Sequence, residues 1–164
     1  MELFDLVDRH DRVIGTTDKA TARRTNQLHR AVAVYVFDRA GRLYVQSHKQ
    51  SGQYDHSVGG HVKQGEAYDQ AAYREAAEEL GFNQPLTQLA IFHSDEGDRQ
   101  HLFALYTCVA DPSWRFVPND EVEEITPMTL AEIKALMQTQ PQNFATGFIN
   151  TLAEYERSTS RTLT

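Results

Sequence analysis

A continuous apolar run limits what this chain can fold into. Every residue from Ala31 to Phe37 is apolar, and the run is rich in β-branched and aromatic side chains. A strand with one face in water alternates apolar and polar residues, whereas an unbroken run predicts a strand that is covered on both faces. We therefore expect a sheet with helices packed against it.

The rest of the chain supplies the other elements of such a fold. Short apolar segments predict further strands at 3–7, 13–16, 43–45, 86–92 and 102–109. Helices are predicted at 18–24, 67–80, 129–138 and about 144–157, the third behind a Thr129–Glu132 capping box. We find no internal repeat and no linker. We expect residues 1–164 to form a single α/β domain with a mixed sheet, with its tail frayed after Arg157.

Composition restricts the partners of this domain. Its 16 Lys and Arg residues against 23 Asp and Glu residues give a net charge of −7, which disfavours binding to nucleic acid or to an anionic membrane. Cys108 is the only cysteine, so no internal disulfide can form and a cytoplasmic location is expected. The acidic start lacks the features of a signal peptide, and no stretch approaches the roughly 20 apolar residues of a membrane helix.

The segment from Gly60 to Phe82 carries the strongest sign of chemistry. Glu75, Glu78 and Glu79 recur at i, i+3 and i+4, so they project from one face of the predicted helix. Arg74 can pair with Glu78, but two carboxylates remain close together on this face. Mg²⁺ favours carboxylate oxygens as ligands, so a bound dication would turn this repulsion into binding.

The surroundings of the glutamates fit a rigid site. Glu66 lies just before the helix, and Gly60 allows a close backbone approach, so its carbonyl can supply another oxygen ligand. Ala72, Ala76 and Leu80 form a stripe that lets the helix lie close against a sheet. A solvated acidic face is the ordinary interpretation of three glutamates on a helix. The full spacing is too specific for that, since it reads Gly60-x5-Glu66-x7-Arg74-Glu75-Ala76-x-Glu78-Glu79-x-Gly81-Phe82.

This segment resembles the Nudix box, the signature of the Nudix hydrolase superfamily. Every fixed position matches, and Ala76 is a mild departure where a larger aliphatic residue is usual. Segments 3–7, 13–15, 29–31 and 57–62 also resemble the subgroup related to isopentenyl diphosphate isomerase. The resemblance implies an α/β/α sandwich with a mixed sheet. It also implies a hydrolase that cleaves a nucleoside diphosphate linked to a moiety X, with a homodimer as the common assembly.

The resemblance implies roles for the residues of the box. Glu75, Glu78, Glu79 and the backbone oxygen of Gly60 would bind Mg²⁺, with Mn²⁺ as a substitute. Glu66 would support the site from nearby, and Arg74 would orient the glutamates through an ion pair. Glu78 or Glu79, or a glutamate outside the box, would help to deprotonate the attacking water.

Two other activities compete with hydrolysis. Isomerisation in the resembling subgroup uses a cysteine just before the glycine that opens the box, together with a later glutamate. Gly59 and His101 occupy those positions here, and a glycine cannot transfer a proton. The other competitor is a non-catalytic module that binds a ligand. Replacement of fixed residues of the box would support a non-catalytic module, and all of these residues are present.

Residues outside the box are expected to select the substrate. His29 and His61 match histidine positions of the isomerase's extra metal site, whose acids are missing here. Three roles are therefore considered for His29 and His61: binding of a second metal, contact with the substrate, and a structural role. Ser47 and His48 stand where related hydrolases often carry two arginines. The remaining basic candidates are Arg30, Arg42 and Lys49, and the candidate contacts to X are Tyr35, Tyr54, His56, His93, His101, Phe103 and Tyr106.

Overall fold

A mixed sheet of nine strands forms the frame of the computed structural model, which describes residues 1–162. Its strands are β1 (Leu3–Val7), β2 (Val13–Asp18), β3 (His29–Phe37), β4 (Leu43–Ser47), β5 (Tyr54–Asp55), β6 (Val58–His61), β7 (Thr87–Asp95), β8 (Gln100–Val109) and β9 (Ile125–Met128). The α-helices are α1 (Lys19–Arg24), α2 (Tyr68–Leu80), α3 (Leu130–Thr139) and α4 (Thr146–Thr162), and a 3₁₀ turn spans Pro141–Asn143.

Strand β3 is the centre of the sheet. It pairs in parallel with β8 along its whole length, and β7 continues the sheet on that side as an antiparallel neighbour of β8. Strands β1, β6 and β4 share the other edge of β3, each antiparallel to it. Every residue from Ala31 to Val36 is buried, which confirms that this strand is covered on both faces.

The two faces of β3 pack against different helices. Because side chains alternate along a strand, the even-numbered residues from Val32 to Val36 belong to the core on the side of α2. The odd-numbered residues from Ala31 to Tyr35 belong to the core that includes Ile133 of α3 and Phe148 of α4. The predicted α/β/α sandwich with a mixed sheet is confirmed.

The helix ends follow local sequence signals. Gly81 ends α2 in a left-handed conformation with φ of 59°, and the predicted capping box of α3 forms, with the Glu132 amide donating to Thr129 Oγ1 at 3.1 Å. The last helix continues to Thr162 beyond its predicted end at Arg157, and residues 163 and 164 lie outside the described part. Among residues 1–162, no helix is long and apolar enough to span a membrane.

Strands β5, β6 and β9 are absent from the sequence-based prediction, and β9 shows why. Its sequence, Ile-Thr-Pro-Met, shows no alternation of apolar and polar residues, and it follows an acidic connector. It pairs antiparallel with β4, where Tyr44 lies opposite Pro127. Pro127 has no amide hydrogen to donate, so it suits an edge strand, and only the tertiary pairing makes the segment a strand.

The close contact between α2 and the sheet can be tested by enlarging a buried alanine. Ala72 is fully buried in the core, so Ala72→Leu forces extra methyl groups into a packed layer and should lower the free energy of unfolding by about 1–3 kcal/mol. Ala77→Leu on the exposed face of α2 is the matched control, with an expected change below about 0.5 kcal/mol. Urea denaturation measures both. Equal stability of the two variants would show that α2 does not pack tightly.

Candidate metal centre

Helix α2 presents its glutamates to the glycine-rich strand β6. A Cβ atom built at Gly60 would overlap the side chain of Glu75, so the missing side chain at this position leaves the space that Glu75 occupies. The stripe of Ala72, Ala76 and Leu80 is buried beneath the helix. Close packing of the helix and the absence of a side chain on the strand therefore act together to lay Glu75 over the backbone of β6.

Glu79 reaches the same strand. Its Oε2 atom accepts hydrogen bonds from the Gly59 amide at 3.0 Å and from Gln46 Nε2 at 3.3 Å. Burial raises the pKa of Glu79 to about 8, and the charge of Glu75 adds to the shift. Burial also raises the pKa of Glu75, although Arg74 opposes that shift. Both carboxylates are thus disfavoured as anions in the metal-free protein, a condition that a dication would relieve.

Arg74 holds the acidic cluster in position. Its Nε and Nη2 atoms donate to the two oxygens of Glu66 at 2.8 and 2.9 Å. Its Nη1 atom donates to Glu75 Oε1 at 2.7 Å, and Nη2 also reaches the backbone oxygen of His61 at 3.0 Å. The predicted pairing with Glu78 is only a long contact of 3.4 Å. The main partners of Arg74 are therefore Glu66 and Glu75.

Glu66 and Glu78 take contrasting places around this cluster. Both oxygens of Glu66 bind Arg74, and one also accepts from the Lys63 amide at 2.9 Å. Burial works to raise the pKa of Glu66, but the bonds from Arg74 and Lys63 lower it below its usual value. The Glu78 side chain is 45% exposed, against 14% for Glu75. Glu75 and Glu79 therefore lie against β6, whereas Glu78 extends toward solvent.

The donor types suit a hard divalent cation, although the three glutamates do not form a group whose ligand atoms all lie within 4.8 Å of one another. Three carboxylates and the backbone carbonyl of Gly60 offer only oxygen, which is the chemistry that Mg²⁺ and Mn²⁺ favour. Burial raises the pKa values of Glu75 and Glu79, so a bound cation would favour their charged forms. Glu66 is occupied by Arg74 and Lys63, so it stands apart as a support.

A cavity of about 530 Å³ opens beside β6. Gly60, His61 and Glu79 of the box line it together with the adjacent Gly59, and α4 contributes Thr146 and Gly147. Of the predicted substrate contacts, the cavity brings in His56, His101 and Phe103, whereas Tyr35, Tyr54, His93 and Tyr106 do not line it. The fully buried Tyr35 ring is bonded through its hydroxyl to Thr151 at 2.8 Å, so it is a core residue.

The cations of the cavity come from unexpected segments. Arg30 binds Asp11 at 2.6 Å and Arg42 binds Asp38 at 2.7 Å, and neither these arginines nor Lys49 line the cavity. The basic side chains that do line it are Lys19, His48 and Arg99. They belong to α1 and to the loops after β4 and β7, and no local sequence pattern brings them together.

A half-buried aspartate, Asp55, joins two histidines at the cavity wall. Asp55 accepts from His48 at 2.6 Å and from His56 at 2.7 Å. Although burial opposes it, the contact with His56 and the bond from His48 hold the pKa of Asp55 well below its usual range. The bond to Asp55 also raises the pKa of His48. Sequence analysis missed Asp55, because its contact with His48 forms only across the loop between β4 and β5.

A second cluster of titratable side chains lies beside the cavity, which His61 and His101 line. One ring nitrogen from each of His29, His61 and His101 lies within 4.8 Å of the others. Burial lowers the pKa of His29 to about 4 and that of His61 to about 3, so both are neutral at pH 7. Glu96, which the sequence did not single out, lies 2.7 Å from His101 Nδ1. Strand pairing, rather than any local motif, brings these four residues together.

Comparison with known proteins gives one consistent family. A family model described as the NUDIX domain matches residues 27–147. The chain is 31% identical over 160 residues to isopentenyl-diphosphate Delta-isomerase 2 of Photorhabdus laumondii, with 90% of this chain and 88% of that protein covered. It is 33% identical over 141 residues to an uncharacterized Nudix hydrolase of Yersinia pestis, with 82% and 77% covered. The crystal structure of DR0079 from Deinococcus radiodurans superposes with a TM-score of 0.72 at 26% identity, over 85% of this chain and 90% of that one.

The contact between Gly60 and Glu75 can be tested with a single methyl group. Gly60→Ala should displace Glu75, because the added Cβ would occupy the same space, and Mn²⁺ affinity should fall by at least about tenfold. Gly15→Ala is the control, since its Cβ would meet Leu6 at an ordinary 3.5 Å. Isothermal titration calorimetry gives the affinities. Unchanged Mn²⁺ binding in a folded Gly60→Ala protein would contradict this account of the site.

Proposed function

The chain belongs to the NUDIX family, and on that premise we propose that it is a hydrolase that uses a divalent metal ion to cleave the diphosphate linkage of a nucleoside diphosphate joined to a moiety X. The observation that carries the proposal is the pair of partly buried carboxylates, Glu75 and Glu79, that lie over the backbone of β6. The complete box and the relatives described as Nudix hydrolases support the same activity.

We assign the metal to the oxygen donors of the box. Glu75, Glu78, Glu79 and the Gly60 carbonyl would hold Mg²⁺, with Mn²⁺ as a substitute. When bound, such an ion neutralises diphosphate oxygens and lowers the pKa of a coordinated water. Arg74 keeps Glu75 in place through the 2.7 Å bond, and Glu66 anchors Arg74 from behind. Arg74 and Glu66 are therefore positioning residues.

The attacking water must give a proton to a nearby base. Glu79 lines the cavity and Glu78 does not, so we favour Glu79 over Glu78 for this role. The oxygen of water forms a bond to one phosphorus, its proton passes to the carboxylate, and the bridging P–O bond breaks with its electron pair leaving on the second phosphate. Positioned bases of this kind contribute about 10²–10⁴ in rate.

The cavity supports a small anionic substrate. Its volume of about 530 Å³ lies within the roughly 300–1,000 Å³ of small-molecule sites. Lys19, His48 and Arg99 line the cavity and offer positive charge for phosphate oxygens. The proposal does not specify the moiety X.

Three further expectations from the sequence stay predictions: a single domain over residues 1–164, a homodimer and a cytoplasmic location.

Isomerase activity is the second candidate, because several relatives carry that description. The position that would hold the reactive thiol is Gly59. The nearest side-chain atom to a Cβ built there is His56 Nδ1 at 3.1 Å, and that nitrogen is already engaged by Asp55 at 2.7 Å. The chain thus lacks the proton-transferring group at this position, and hydrolysis is the better supported activity.

A substrate screen tests the proposed function directly. Nucleotide sugars, dinucleotides, nucleoside triphosphates and coenzyme-type diphosphates are incubated with the protein and Mg²⁺ or Mn²⁺, and released phosphate and nucleotide are measured. Isopentenyl diphosphate is incubated separately. Turnover of at least one diphosphate without formation of an allylic isomer is the expected result. Allylic product would favour the isomerase, and ligand binding without any turnover would favour a non-catalytic module.

Loss of a box carboxylate should remove the activity while leaving the fold intact. Glu79→Gln and Glu78→Gln should each lower kcat by about 100-fold or more, because the carboxylate charge is lost in both variants. Glu123→Gln, on an exposed loop, is the matched control and should keep the wild-type rate. Steady-state kinetics on the best substrate of the screen gives the comparison. Wild-type rates in both box variants would refute the assigned roles.

A further inference from the structure

His48 lies on the side of β4 that faces the carboxylates of α2. Gln46 of this strand donates through Nε2 to Glu79 Oε2 at 3.3 Å, and it lies opposite Asp55 of β5. The His48 amide donates to the Gln53 carbonyl oxygen at 2.8 Å, so the pairing of the two strands continues into the loop. Since alternate residues of a strand share a face, His48 projects on the side of Gln46, roughly 6.6 Å further along the chain.

Asp55 holds His48 through one of its two carboxylate oxygens. Asp55 Oδ2 lies 2.6 Å from His48 Nε2, and Asp55 Oδ1 lies 2.7 Å from His56 Nδ1. The His56 amide also donates to Oδ1, at 2.8 Å. Within the described range 1–162, no lysine or arginine forms an ion pair with Asp55. Its counter-charge in the protein therefore comes from an imidazole.

The two imidazoles differ in their access to the cavity. The His56 side chain is 6% exposed, and its ring packs against Phe103 and Phe148 at centroid distances of 5.7 and 5.4 Å. The His48 side chain is 52% exposed and lines the cavity. Its Nε2 atom is engaged by Asp55, and no group among residues 1–162 bonds to its Nδ1 atom. Protonated His48 thus presents one free ring N–H beside the cavity.

Asp55 favours the protonated form of His48. The bond to this carboxylate raises the pKa of His48, while partial burial and the charge of Arg99 oppose the shift. His56 on the other oxygen of Asp55 and Glu79 of α2 are the further titratable groups that act on the pair. An aspartate bonded to an imidazole also fixes the orientation of the ring and stabilises the imidazolium. His48 is therefore held as a charged group with a removable proton.

We propose that His48 is the acid of the reaction, which gives its Nδ1 proton to the oxygen of the leaving phosphate, with Asp55 as its positioning residue. This inference rests on the proposed hydrolysis of a diphosphate. As the bridging P–O bond breaks, its electron pair stays on the leaving oxygen, and the Nδ1 proton moves to that oxygen. The imidazole becomes neutral and keeps its Nε2–H bond to Asp55. It regains a proton from solvent, which also receives the proton that Glu79 takes from the attacking water.

The imidazole offers what the other cations of the cavity do not. Lys19 and Arg99 also line the cavity, but ammonium and guanidinium groups hold their protons at neutral pH. Arg99 is shared between Asp98 at 3.3 Å and Glu96 at 3.6 Å. A pair of acidic and basic groups that flank the scissile bond can serve both proton transfers. Glu79 as base and His48 as acid would form such a pair in one cavity.

Variants of His48 separate proton donation from charge alone. With Mg²⁺ and the best substrate of the screen, kcat of the wild-type protein should fall as the pH rises through the pKa of His48. His48→Gln should lower kcat by about 100-fold and remove this fall. His48→Arg keeps a positive charge, so it should restore KM but not kcat. His10→Gln, in an exposed turn, is the matched control and should keep the wild-type kcat.

Asp55→Asn tests the positioning role. Asparagine can still accept a hydrogen bond, but it lacks the charge that favours the imidazolium. The fall in kcat should therefore move to lower pH, and kcat should approach the wild-type value at pH values below that fall. Titration of the His48 ring, followed by NMR without substrate, should show the same decrease in its pKa. An equal pKa of His48 in the wild-type and Asp55→Asn proteins would refute the role of Asp55.

Three results would overturn the proposed acid. The first is a wild-type kcat in folded His48→Gln, and the second is full recovery of kcat in His48→Arg. Circular dichroism checks the fold, and His48→Asn takes the place of His48→Gln if the latter does not fold. The third is a wild-type protein that hydrolyses no diphosphate, which refutes the proposed function as well. Hydrolysis that does not depend on His48 refutes only the acid, so the two failures are distinguishable.

Discussion

Two carboxylates held against a backbone strand are the interaction on which the rest of this structure depends. The alanine face of α2 brings the helix close to the sheet, and Gly60 leaves room for Glu75. Glu79 then binds the Gly59 amide from the outer edge of β6. Burial makes both anions unfavourable, and Arg74 offsets this only for the groups that it touches. A cation bound at Glu75 and Glu79 would therefore stabilise the folded protein.

The two faces of strand β6 lie against different kinds of donor side chain. Gly60 faces the carboxylates of α2, whereas His61 faces the imidazoles that β3 and β8 contribute. Oxygen donors favour hard ions and nitrogen donors favour borderline ones, so the two faces of β6 present different donor chemistry. Gly59, Gly60 and His61 of β6 all line the cavity.

The features that could be predicted from sequence are those set by local spacing. The glutamates at i, i+3 and i+4 and the Thr129–Glu132 cap depend on one helix each, and the apolar run of β3 depends on one strand. Strand β9, Asp55 and Glu96 depend on partners distant in sequence, such as the pairing of Tyr44 with Pro127. No periodicity marks such contacts before the sheet is assembled. Charge alone marks Arg30 and Lys49 as candidates in the sequence, but neither side chain lines the cavity of the folded chain.

The free energy of unfolding as a function of pH, with and without Mg²⁺, tests the central claim most directly. Burial raises the folded-state pKa of Glu79 from 4.5 to about 8, so the folded metal-free protein binds this proton more tightly than the unfolded chain does. Its contribution to stability is complete below pH 4.5 and is lost as the pH rises toward 8. Saturating Mg²⁺, which binds the folded state, should restore stability most at pH 8. Identical pH profiles with and without Mg²⁺ would contradict the claim that these buried carboxylates form a metal centre.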